Sequence, residues 1–145
     1  MSAGIARIAV PTVAVGGLAG GVSMAAFNSD IRDADKKANH YGHLVETLPG
    51  APYGPDPGTP QFNRALDGYI RHMDDSENIR FDREWVYAGA ALSGFVGATA
   101  GFAAKGLHIQ GRPLGALIGV AGLGLGAAVG AFGTDLATPV GEKPV

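Results

Sequence analysis

Residues 113–133, PLGALIGVAGLGLGAAVGAFG, decide the fold. The stretch carries no charged side chain. As a helix rising about 1.5 Å per residue it is roughly 30 Å long, the thickness of a bilayer's hydrocarbon core. At about 100° per residue, Gly115, Gly119, Gly122, Gly126, Gly130 and Gly133 fall within roughly an 80° arc of one helical face. Leu114, Leu117, Leu125 and Phe132 point the other way. In water so much glycine would melt a helix, at about 1 kcal/mol per Gly relative to Ala. In lipid it lets a second helix backbone come close. The stretch reads as a transmembrane helix with a packing groove.

Two more uncharged stretches precede it. Residues 8–27, IAVPTVAVGGLAGGVSMAAF, contain the overlapping Gly-x-x-x-Gly pairs Gly16/Gly20 and Gly17/Gly21, and Pro11 is expected in the first helical turn. A secretory signal peptide is the rival reading, with a cleavage site near residue 25. The lone Arg7 and the presence of Met1 favour a retained span instead. Residues 85–104, WVYAGAALSGFVGATAGFAA, carry the small-residue ladder Gly89, Ser93, Gly97 and Gly101, with Phe95 and Phe102 turned away and Trp85 and Tyr87 at an interfacial position. Residues 105–112, KGLHIQGR, form a turn short enough to make the last two spans an antiparallel hairpin, expected to meet glycine face to glycine face. Gly97, Gly101, Gly119 and Gly126 are expected at its contacts, and Leu117 and Leu125 outside them.

The fold class is therefore an all-α membrane protein. It has three glycine-rich transmembrane helices and a polar, partly helical segment between the first and second. The expected divisions are 1–27, 28–84, 85–133 and a polar tail, 134–145. Segment 28–84 holds seven basic and eleven acidic residues, too many to enter lipid. Within it Ser29 or Asp30 is expected to cap a helix over 30–47, striped by Ile31, Ala34, Ala38, Tyr41, Val45 and Leu48. Five prolines make 48–61 a loop, and Thr59-Pro60 opens a helix over 60–75 striped by Phe62, Leu66, Ile70 and Met73. Stripes this narrow are expected to contact partners. Arg7, Lys105 and Arg112 share one membrane side, and net charge favours that side, with the N-terminus, in the matrix or cytosol. The opposite side carries more lysine and arginine near the span ends, so the sequence leaves the orientation open.

Composition narrows the function. Charged residues make up 17% of the chain and glycine 24 of its 145 residues, without a Gly-X-Y period, so the chain is neither disordered nor collagenous. The absence of cysteine excludes disulfides, thiolate zinc sites and iron–sulfur ligation. A net charge of −2 gives no reason to expect nucleic acid as a partner. His40 and His43 share a helical face, but a metal would need further ligands than the surface acids Asp33 and Glu46. His72 and His108 stand alone. Ser93 has no histidine or carboxylate near it in sequence. No span holds the ionisable residue that proton and ion carriers place at membrane depth. Neither catalysis nor a cofactor is expected.

Residues 89–101 (GAALSGFVGATAG), the 105–112 turn and residues 115–126 (GALIGVAGLGLG) resemble the mitochondrial inner-membrane import-translocase family, which includes a small accessory subunit of respiratory complex I. Two departures are visible. The family places an acidic residue four positions after an arginine, where Arg112 is followed by Ala116, and it has four spans rather than three. The resemblance implies a supernumerary structural subunit of a respiratory-chain complex in the mitochondrial inner membrane. Its partners would be other membrane subunits and lipids. Its candidate helix-packing residues are Gly16, Gly20, Gly89, Ser93, Gly97, Gly101, Gly115, Gly119, Gly122, Gly126 and Gly130. A translocase or channel component, and a self-assembling glycine-rich membrane protein, are the alternatives.

Overall fold

A computed structural model describes residues 3–48 and 59–141. Three helices account for nearly all of them: α1 (Ala3–Thr47), α2 (Pro60–Gly106) and α3 (Arg112–Ala137), with no strand among the described residues. Each contains a window long and apolar enough to cross a membrane. The chain is an all-α membrane protein.

The first two helices are longer than the apolar stretches inside them. α1 runs through Ser29 and Asp30 without a break, so neither caps a new helix, and α2 continues from the polar segment into the span at Trp85. The reason lies in the residues between. No glycine or proline occurs between Gly21 and Gly42, or between Gly68 and Gly89. Arginine, lysine, glutamate and alanine all favour helix, so a rise in charge changes the solvent a helix can enter without ending it. Because α1 already begins at Ala3, Pro11 lies inside it rather than in its first turn. The neighbouring Thr12 hydroxyl donates to the carbonyls of Ile8 (2.9 Å) and Ala9 (3.0 Å), whereas the carbonyl that Pro11 deprives of an N–H is that of Arg7, one turn before it.

The helix ends are built conventionally in two places and unusually in one. Thr59 caps α2 with its hydroxyl accepting from the Phe62 N–H at 3.4 Å, next to Pro60. Pro113 sits in the first turn of α3, and Gly111 precedes that helix at φ 84°, ψ −145°, a conformation open essentially to glycine alone. At the end of α2 the Ile109 N–H bonds the Ala104 carbonyl (2.9 Å) and the His108 N–H bonds that of Lys105 (3.1 Å). That is a Schellman closure. Its left-handed position, where glycine is usual, belongs to His108 at φ 59°.

The chain divides into two compact units: Met1–Ala26 with Arg83–Pro139, and Phe27–Asp82 with Val140–Val145. The first contains the three apolar stretches. In the second, α1 and α2 run antiparallel and pack on each other, contrary to the expectation that their stripes face partners. Ile31, Ala34 and Ala38 of α1 are buried, as are Ala65 and Ser76 of α2. The α2 face also differs from the expected one, for Ile70 is exposed while Ala65 and Ser76 are inside. On the α2 side the buried residues are small, so hydrophobicity alone does not mark that face. Tyr41 stacks on His72 (ring centroids 5.5 Å apart) and lies against Gly68, while Tyr69 lies against Gly42. Of the proline-rich loop, 49–58 lies outside the described residues, as does 142–145 of the expected tail. The rest of that tail begins as helix, because α3 continues to Ala137.

Candidate functional site

The glycines of the first unit form two seams, and α3 belongs to both. Along the first, α3 runs parallel to α1. A Cβ on Gly20 would stand 2.6 Å from Ala127 Cα, and one on Gly16 would stand 2.9 Å from Leu123 Cα. From the other side, a Cβ on Gly130 would come within 2.8 Å of Gly17 Cα. One on Gly126 would meet the Gly17 nitrogen at 3.0 Å, and one on Gly122 would run into Thr12. Real Cβ atoms do not approach backbone this closely, so these positions admit glycine only while the helices stay together.

The second seam joins α3 to α2, which runs antiparallel. A Cβ on Gly94 would stand 2.6 Å from the Leu125 nitrogen, one on Gly124 would stand 2.7 Å from both Gly94 Cα and Ser93 Oγ, and one on Gly97 would stand 2.8 Å from the Ala121 nitrogen. Gly124 is two residues from both Gly122 and Gly126, about 200° around the helix from each. The two seams therefore occupy opposite faces of α3, which lies between α1 and α2.

This arrangement corrects the expectation for the hairpin. Its partners do not meet through the long glycine stripe, since Gly122, Gly126 and Gly130 face α1. Gly101 only reaches Leu117 Cβ at 4.0 Å, and Gly115 only the Ile8 side chain at 3.5 Å. Gly89, Gly119 and Gly133 would have nothing within 4 Å of a Cβ. Leu117 and Leu125, expected to face outward, lie on the α2 side, although Leu125 remains 44% exposed. Phe95 and Phe102 do point away, at 67% and 78% exposure. Gly94 and Gly124 were the contact residues that helical-face counting passed over. The signal for them was the Gly122–Gly124–Gly126 alternation, which puts glycine on two opposite faces at once.

Polar groups gather at the ends of the first unit. Arg83 of α2 pairs with Asp135 of α3 at 3.2 Å, beside a cavity lined by Met24, Tyr87 and Phe132. Ser93 donates its hydroxyl to the Ala90 carbonyl at 2.9 Å, which accounts for it as a helix-bound serine. In the second unit Asp35 accepts from Arg80 at 2.7 Å and from the Ser76 hydroxyl at 2.5 Å, and both charged side chains are close to buried. Arg80 also donates to Ser76 Oγ and to the Gly141 carbonyl. His40 and His43 are both exposed, and His40 is edge-on to Tyr41. His72 Nδ1 is 3.5 Å from the Asp75 carboxylate. Among the described residues no three histidines or carboxylates converge as metal ligands would. The geometry offers helix packing and part-buried ion pairing.

No protein-family model, curated protein or solved structure matches the chain.

Proposed function

We propose that this chain is a non-catalytic structural subunit of a larger membrane complex. The supporting observation is how little of the spans the chain covers by itself. Within the most apolar windows of α1 and α2 only 11% of residues are buried, and within that of α3 only 22%. Their close contacts are backbone to backbone through glycine. The bulky side chains, among them Leu18, Val22, Leu92, Phe95, Phe102 and Val129, are left outside. Such a surface suits neighbouring helices as well as it suits lipid tails. Every ionisable side chain of the spanning unit lies at its ends. The resemblance of the glycine ladders extends the proposal to an accessory subunit of a mitochondrial respiratory-chain complex in the inner membrane.

Mild detergent extraction from the native membrane, followed by mass determination of what co-purifies, tests this. Stoichiometric association with respiratory subunits is the expected result. A homo-oligomer would replace the reading with self-assembly, and a chain that isolates alone would overturn it.

A further inference from the structure

At the end of the spanning unit that carries the 105–112 turn, a cavity of about 690 Å³ opens between the start of α1, the turn and the start of α3. Its wall has two chemistries. Ile5 and Ile8 of α1 and Leu114 and Ile118 of α3 supply branched apolar side chains. Lys105 and His108 supply polar ones. The wall reaches from the turn into the spans: Ile5 and Ile109 lie at the level of the charged residues, Ile8 and Ile118 belong to the uncharged stretches, and Ile118 lies about 9 Å along α3 from Arg112. Lys105 and His108 belong to the turn outside them. The cavity therefore spans the boundary between headgroup and acyl chain.

The charge at this end has one sign. Arg7, Lys105 and Arg112 are exposed, and none makes an ion pair among the described residues. No aspartate or glutamate occurs before Asp30, or between Glu84 and Asp135. The acids of the spanning unit thus lie at its other end, beside Arg83. Cations that lack protein counter-charges at a membrane surface attract anionic headgroups.

We propose that this cavity is a binding site for an anionic phospholipid. Its phosphate would lie against Lys105, with Arg7 and Arg112 contributing field, and its upper acyl carbons would lie along Ile5, Ile8, Leu114 and Ile118. A free phosphate fits less well. A water occupies about 30 Å³ in the liquid, so the cavity has room for many such volumes and a small anion would leave the apolar wall unfilled.

The test uses the intact purified chain and does not depend on any partner subunit. It is delipidated in detergent, offered equimolar phosphatidylglycerol and phosphatidylcholine with the same acyl chains, and analysed by native mass spectrometry. One retained phosphatidylglycerol, favoured about tenfold over phosphatidylcholine, is the expected result. K105Q/R112Q should bring the two lipids to parity. L114W, which fills the apolar wall and keeps every charge, should reduce retention of both. Inorganic phosphate in large excess should not displace the lipid from the unaltered chain. Equal retention of the two lipids by that chain would overturn the proposal without recourse to a variant. So would displacement by phosphate.

Discussion

Gly119 and Gly126 lie two turns apart on the same face of α3, yet a leucine at each should act differently. At Gly126 the new side chain would enter the backbone of Val13 and Gly17, whereas at Gly119 it would meet open space. G126L should cost about 3 kcal/mol or more, because neither helix can recede without opening the α1 seam. G119L should be close to neutral, since leucine is also the better helix former. Titration from mild detergent into dodecyl sulfate, followed by the fluorescence of Trp85, compares them. Equal midpoints for the two variants would mean that the stripe is compositional and not a contact. The sequence shows which glycines share a face because that follows from the helical period. It does not show where along that face two axes come closest, which depends on how the helices cross.

At the scale of an element, the turn after α2 offers two substitutions of opposite sign. His108 occupies the left-handed position of a Schellman closure, and H108G should stabilise the helix end by about 1 kcal/mol by removing the Cβ conflict. Gly111 has φ 84° with nothing near its absent Cβ, so the cost of G111A is conformational alone, about 1–3 kcal/mol. The same detergent titration measures both, and shifts in the same direction would contradict the backbone assignment. In the second unit the Asp35–Arg80 pair allows a similar comparison. D35A leaves Arg80 close to buried with its charge uncompensated, an expected loss of about 3 kcal/mol, while D35L/R80M removes both charges and should lose clearly less. Thermal loss of ellipticity checks it, and equal losses would rule out an uncompensated charge as the cause. Part of this was legible: the buried α1 stripe Ile31, Ala34 and Ala38 and the Thr59 cap follow from residue spacing. The α2 face was not, because Ala65, His72, Ser76 and Arg80 hold it where a hydrophobic reading selects Leu66 and Ile70. The continuity of α1 and α2 was concealed in the same way, since a charged stretch reads as a boundary when only glycine or proline would make one.

For the whole molecule, three spans fix a topology that one family of variants can test. Each of α1, α2 and α3 holds one window able to cross the bilayer, and the charges between those windows cannot remain in hydrocarbon. Two crossings return the chain at the 105–112 turn to the side of the N-terminus, while one crossing and three put residues 28–48 and 59–84 and residues 138–141 on the other. The chain has no cysteine, so each introduced thiol is the only one to report. Asn39 and His43 are exposed in the polar segment, and Lys105 and Gln110 are exposed in the turn. None of the four is a seam residue, so cysteine at each should leave the glycine contacts intact. In sealed vesicles of one orientation, a membrane-impermeant maleimide should modify N39C and H43C together, or K105C and Q110C together, and reach the other pair only after detergent is added. Modification of all four before detergent would mean that α2 does not cross. The same result for K105C and Q110C alone, with N39C and H43C protected, fixes the N-terminal side as the exposed one and settles the orientation that the balance of lysine and arginine leaves nearly even.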